Sequence, residues 1–215
     1  MQTTEELKRR PSPATRPHPL AYRDGALWMG SWDTDRVYAI DPQTWSVRYE
    51  VEAPGKPYGI TAYGSELRVV ISHGEDDDRY LYRLVPGSGF DLSSKTPCPD
   101  LTGSYLASDG ETIYLGQMTL RRILVLKPDA TIEREIALPA RCAGFGFGPG
   151  GGFYMISGDA ELEQLRFGKL DISRSALRFE EIRPLPDEAR SLVHDGSVWW
   201  TCLRDTNEIA SFPAR

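Results

Sequence analysis

Apolar and polar positions along the chain alternate in short runs of period two, each cut off by a turn. The runs are rich in Val, Ile, Tyr, Trp and Leu, and Asp-Gly, Gly-Ser and proline-containing turns separate them, which is how strands are written in sequence. No amphipathic run with a 3.6-residue period lasts three turns, and Gly and Pro are spread along the whole length, so helix is excluded almost everywhere. Only Thr3 to Arg10 has an alternative helical reading. The chain is expected to be nearly all β.

The strands repeat. Five turn-plus-strand segments align: Asp24-Gly25-Ala26-Leu27-Trp28, Gly64-Ser65-Glu66-Leu67-Arg68, Asp109-Gly110-Glu111-Thr112-Ile113-Tyr114, Gly150-Gly151-Gly152-Phe153-Tyr154 and Asp195-Gly196-Ser197-Val198-Trp199. Their apolar anchors Leu27, Leu67, Ile113, Phe153 and Val198 recur at intervals of 40, 46, 40 and 45 residues. A third strand follows most anchors and tends to end at proline, as in Val37 to Pro42, Leu81 to Pro86, Ile123 to Pro128 and Ile209 to Pro213; the fourth unit departs, with Leu170-Asp171-Ile172. A further strand closes most units, as in Trp45 to Val51. Four strands in each period of this length make a β-propeller blade.

The fifth unit runs out after Phe212, before a fourth strand, while Thr4 to Arg10 precede the first complete unit. This N-terminal segment is therefore expected to supply the missing outer strand and remove a pair of sheet edges. The predicted fold is all-β, a five-bladed β-propeller of four-stranded blades closed by an N-terminal strand. Residues 1–18 form the closing strand and linker, and the blades cover 19–55, 56–100, 101–140, 141–187 and 188–215. The Gly-His…Trp-Asp and Gly-Gly signatures of WD and kelch repeats do not recur in every unit.

Trp28, Trp32-Asp33-Thr34-Asp35-Arg36-Val37 and Ile40-Asp41-Pro42-Gln43-Thr44 resemble one blade of the glutaminyl cyclotransferase family, five-bladed propellers. Pro57-Tyr58-Gly59-Ile60-Thr61 is similar to the inner strand of virginiamycin B lyase and its relatives. The resemblance implies blade architecture along most of the chain and is specific around Trp28 to Thr44. It does not extend to the families' chemistry. Where the cyclotransferases carry Thr-Gln-Gly-Leu and a Glu-Ser-Thr-Gly with its catalytic glutamate, this chain reads Pro19-Leu20-Ala21 and Met29-Gly30-Ser31. Where the lyases carry a paired Glu-x-His, it reads Leu203-Arg204-Asp205-Thr206-Asn207. A shared fold does not carry a shared reaction.

Composition narrows the partners. A formal charge of −6 from 25 Lys+Arg and 31 Asp+Glu argues against a phosphate-tracking surface, so no nucleic acid is expected. No apolar stretch reaches the roughly 18 residues of a membrane helix, and Met1 to Pro19 lacks the apolar core of a signal peptide, so no membrane association and a cytoplasmic location are expected. Cys98, Cys142 and Cys202 are odd in number and lack Cys-x-x-Cys spacing, which fits a reducing compartment.

No metal and no cofactor are expected. Glu75-Asp76-Asp77-Asp78 lacks the D-x-D-x-D-G calcium pattern, the set Asp33, His73, Glu75 and Asp159 lacks regular ligand spacing, and Gly144 to Gly152 lacks the Gly-Lys-Ser/Thr ending of a phosphate loop. Alternating glycines there suit close backbone approach on an inner strand.

Strand order locates the candidate site. In a blade the innermost strand begins on the face where the second strand hands over to the third, so these two loop sets from five blades ring one mouth of the channel. The rim then holds His18, Trp32, Asp33, Tyr58, His73, Gln117, Asp159, Arg190 and Arg204. His18 and His73 are the candidate acid/base groups, because imidazole titrates near neutrality. Trp32, a large aromatic in a loop, is a candidate stacking wall with Tyr58. Asp33, Gln117 and Asp159 are candidate polar contacts, and Arg190 and Arg204 are candidate anion anchors. Cys142 and Cys202 are read as buried and inert.

Two functions fit this rim. One is binding of a small polar or anionic metabolite, with or without catalysis. The other is a non-catalytic scaffold that presents its rim or side to a peptide or partner protein. Mixed charges converging on one mouth favour the small-molecule reading.

Overall fold

The computed structural model describes residues 7–173 and 177–213. Its strands form five four-stranded antiparallel sheets, four built from consecutive hairpins and the fifth joining three C-terminal strands to one N-terminal strand. In chain order the first strand is the closing strand, β1 (Lys8–Pro11). Blade 1 is β2 (Pro17–Arg23), β3 (Ala26–Ser31), β4 (Arg36–Ile40) and β5 (Val47–Glu52). Blade 2 is β6 (Lys56–Tyr63), β7 (Glu66–His73), β8 (Asp78–Val85) and β9 (Gly89–Pro97). Blade 3 is β10 (Tyr105–Ser108), β11 (Ile113–Gln117), β12 (Arg122–Leu126) and β13 (Ile132–Ala137). Blade 4 is β14 (Arg141–Phe147), β15 (Phe153–Gly158), β16 (Arg166–Asp171) and β17 (Arg178–Pro184). Blade 5 is β18 (Ala189–His194), β19 (Trp199–Leu203) and β20 (Glu208–Phe212), completed by β1. The protein is a five-bladed β-propeller.

The closure expected from Thr4 to Arg10 takes place through β1, which pairs antiparallel with β20 in the register Lys8 to Ser211 and Arg10 to Ile209. Thr4 to Glu6 lie outside the described residues. The seam is reinforced: Ser12 N–H donates to the Asn207 carbonyl at 2.8 Å, the Trp45 indole donates to the Pro11 carbonyl at 2.7 Å, and Trp45 stacks on Trp200 of blade 5. N-terminal residues thus tie the first blade to the last.

Burial explains the sequence pattern. The second strands β3, β11 and β19 are buried at every position, because a neighbouring blade covers each face of a middle strand. Outer strands such as β5 and β13 are largely exposed and are correspondingly polar. The Asp-Gly turns work through their side chains. Asp109 Oδ1 accepts from the N–H groups of Glu111 and Thr112, and Asp195 Oδ1 from those of Ser197 and Val198. Asp24 and Gly25, at φ 51° and 71°, form the two-residue connection whose twist suits a hairpin.

The five innermost strands β2, β6, β10, β14 and β18 stand side by side around the axis. Four of them are broken in register: between Pro17 and Leu20, Pro57 and Gly59, Cys142 and Gly144, and Arg190 and Val193. Bulges of this kind re-aim side chains, and His18 and Tyr58 sit in them. Gly144 lies where a Cβ would come within 2.6 Å of the Ser191 backbone, so it is the glycine that lets β14 and β18 approach. Among the described residues no helix is long and apolar enough to cross a membrane.

Candidate functional site

At the end of the channel where the inner strands begin, aromatic rings close the axis. His18 lies with its ring centroid 4.2 Å from Trp32, 5.5 Å from Tyr105 and 5.7 Å from Tyr58, and Trp32 lies 4.6 Å from Tyr58. Trp32 is anchored by its indole N–H, which donates to the Pro57 carbonyl at 2.7 Å. The rings come from three adjacent blades: His18 and Tyr58 from bulges, Tyr105 from the start of β10, Trp32 from the turn between β3 and β4.

Cations surround this stack. Arg204, Arg16 and Lys56 lie 4.8, 5.5 and 5.9 Å from the Trp32 ring centre, and Arg79 lies 3.3 Å from that of Tyr58. Arg79 is paired with Asp77 and donates to the Gly103 carbonyl. Asp77 also accepts from the Tyr58 hydroxyl at 3.3 Å, so this arginine is spent on holding Tyr58. Arg190 and Arg204 are placed differently. Arg190 is buried and donates through one nitrogen to the carbonyls of Asp187 and Ala189, both at 2.8 Å, and among the described residues it has no carboxylate partner. Arg204 reaches only Asp205, at 3.9 Å, and its Nε is buried with no hydrogen-bond partner.

Both ring nitrogens of His18 are likewise buried and unpartnered, in a side chain only 3% exposed. Burial, and then the charges of Arg204, Arg190, Arg79 and Arg16, push its pKa well below 6.5, so the imidazole is neutral at neutral pH. Burial also raises the Tyr105 hydroxyl and, with the charge of Arg190, lowers Arg204 from its ordinary value. Buried polar groups are nearly always satisfied, yet the His18 ring nitrogens have no hydrogen-bond partner among the described residues, and the Arg204 Nε has only Asp205, at 3.9 Å.

The structure brings His18, Trp32, Tyr58, Arg190 and Arg204 together at this pole. Of the other rim residues, Asp33 lies beside Arg16 of this pole, while His73, Gln117 and Asp159 bond within their own blades. The His73 ring bonds the Tyr82 hydroxyl at 2.9 Å and packs on Tyr80, within blade 2. Gln117 is fully buried, donating to the carbonyls of Pro99 and Thr102 and accepting from Arg122; it braces the segment that leads into β10. Asp33 is exposed beside Arg16 at 4.0 Å, and Asp159 sits in the turn between β15 and β16. No group of three or more His, Cys, Asp or Glu able to hold a metal forms among the described residues.

Arg16, Lys56, Arg79 and Tyr105 belong to the pole but were not among the residues picked out by sequence. Lys56 and Tyr105 begin inner strands, and Arg16 immediately precedes one, so the strand-start rule that found His18 could have found them. Arg79 carried no such signal, since its preceding acidic run reads as a solvated tip.

No family model matches the chain, and no curated protein matches it by sequence. Solved structures do match in fold. An aldose sugar dehydrogenase from Streptomyces coelicolor, in its PQQ-bound form, gives a TM-score of 0.61 at 12% identity over 98% of this chain and 82% of that one. Virginiamycin B lyase from Staphylococcus aureus, a catalytically inactive form with quinupristin, gives 0.57 at 10% identity over 98% and 99%. A glutaminyl cyclase from Myxococcus xanthus gives 0.54 at 15% identity over 83% and 75%. At these identities the likeness is one of propeller architecture.

A Cβ on Gly30 would lie 2.7 Å from the rings of both Pro19 and Pro57, so the two prolines fill the space a side chain would need.

Proposed function

We propose that the protein binds a small anionic molecule at the pole formed by His18, Trp32, Arg190 and Arg204. The observation that carries this reading is the buried His18 imidazole, neither of whose ring nitrogens is hydrogen-bonded among the described residues, beside Arg190, with no carboxylate of its own, and Arg204, whose Nε meets only Asp205 at 3.9 Å. A carboxylate or phosphate supplies the missing acceptors through charge-assisted, bidentate hydrogen bonds. Trp32 and Tyr58 give the guest an apolar wall. His18, held neutral, is the group able to accept a proton from a bound molecule. The fold neighbours include enzymes with three different activities, which leaves the reaction class to be read from this site itself.

The test is a calorimetric screen of small carboxylates and phosphates against the wild type and the variants Arg190→Ala, Arg204→Ala and Trp32→Ala. Loss of one charge-assisted contact weakens binding by about 1.5–3 kcal/mol. Hits that bind equally well to all three variants overturn the assignment and favour a partner-protein role for the rim.

A further inference from the structure

A second charged recess lies on the same face, between blades 3 and 4. It is a cavity of about 350 Å³ lined by Thr119 and Arg121 from the turn between β11 and β12, Arg141 at the start of β14, and Asp159 from the turn between β15 and β16. That volume is within the range of small-molecule sites. Neither arginine side chain has a hydrogen bond, ion pair or aromatic contact among the described residues, and Asp159 pairs with neither of them.

Arg121 and Asp159 are exposed and Arg141 is half-buried, so solvent weakens any attraction between them. Each is carried by its own loop or strand. Asp159 Oδ1 is committed to its own turn, accepting from the N–H groups of Glu161 at 3.0 Å and Glu163 at 2.8 Å, while Oδ2 has no partner among the described residues. Arg121 is fixed in the left-handed region at φ 50° by its hairpin, its N–H donating to the Met118 carbonyl. Arg141 enters from the next blade. Two cations and one free carboxylate oxygen therefore face a common space without neutralising one another.

We propose that this cavity binds a small zwitterion, its carboxylate or phosphate held between Arg121 and Arg141 and its ammonium on Asp159 Oδ2. Guanidinium is the donor suited to either oxyanion, and a carboxylate on the opposite wall selects for a cation attached to it. The guest is compact, with the two charged groups a few bonds apart. The pole of the propeller takes no part in this arrangement.

The experiment titrates two pairs of probes into isotope-labelled protein and follows backbone amide shifts: phosphoethanolamine with inorganic phosphate, and β-alanine with acetate. The ammonium-bearing member of at least one pair binds about tenfold more tightly than its partner, with shifts centred on residues 119–121, 140–141 and 158–160. The pair that binds more tightly names the anionic head. Arg141→Ala weakens binding of that probe by about tenfold. Asp159→Asn, which keeps an oxygen to hold the turn, abolishes the preference for the ammonium form. The proposal is overturned if no probe moves these amides, if the shifts persist in the Arg121→Ala/Arg141→Ala double variant, or if Asp159→Asn keeps the preference. Circular dichroism melts of each variant identify any that fails to fold, and Asp159→Asn then decides alone. Running the same titrations on Arg204→Ala separates this cavity from the pole.

Discussion

His18 and Trp32 pack as a tilted pair with ring centroids 4.2 Å apart and an interplanar angle of 31°, and the contact joins the bulge of β2 to the turn that follows β3. The indole roofs an imidazole that has no hydrogen-bond partner, while its own N–H is fixed on Pro57. Trp32 is thereby a wall of the pole as well as a cover for His18.

That burial has a measurable pH dependence. In the unfolded chain imidazole takes up a proton as pH falls past about 6.5, whereas folded His18 resists it. The unfolded state then binds more protons, so stability present above pH 6.5 is lost as pH falls toward the depressed folded value, at up to about 1.4 kcal/mol per pH unit for one group. His18→Phe keeps a ring in place and removes this dependence. Urea unfolding between pH 7.5 and 5 is expected to give a flatter stability profile for the variant; parallel profiles would show that His18 is not protected from protonation.

Ring closure rests on β1. Removing the residues before Pro11 deletes three of the four residue pairs with β20 and exposes that strand's edge. With net contributions of about 1 kcal/mol for each backbone hydrogen bond, the melting temperature is expected to fall by roughly 5–10 °C. An unchanged melting curve would falsify the closure.

Close approach of the inner strands makes Gly144 intolerant of a methyl group. A Cβ there meets Ser191 main-chain atoms at 2.6 to 2.9 Å, and backbone at that distance cannot turn aside as a long side chain would. Gly144→Ala should cost about 1–3 kcal/mol or more, read as a lower urea midpoint with an unchanged slope. Gly74→Ala, whose site is open but has φ 70°, serves as a control for strain without a clash.

The three thiols are expected to be inert in the folded protein. Burial pushes Cys98 and Cys142 up to about 12 and Cys202 well above its ordinary value, and only the thiolate is nucleophilic. A thiol reagent at pH 8 should modify none of them until denaturant is added. Rapid modification of the native protein would refute the burial argument.

The blade count, the strand order and the closing segment were legible in the sequence because each is local or periodic. Middle strands covered on both faces are mostly apolar, outer strands need not be, and Asp-Gly turns recur where Asp109 and Asp195 bind their own backbones. Strand order also puts His18, Trp32, Tyr58, Arg190 and Arg204 on one face.

Which rim residues meet was decided only by the tertiary structure. His73, Gln117 and Asp159 occupy the loops that the repeat assigns to the same face, yet Tyr82, the Pro99 and Thr102 carbonyls and the Asp159 turn hold them within their own blades. Side-chain direction there depends on bulges, such as those that carry His18 and Tyr58, and a one-residue slip leaves no periodic mark. The overall charge of −6 likewise gave no hint of a cationic pole. Arg16, Lys56, Arg79, Arg190 and Arg204 are scattered along the sequence, and only ring closure brings them to one axis.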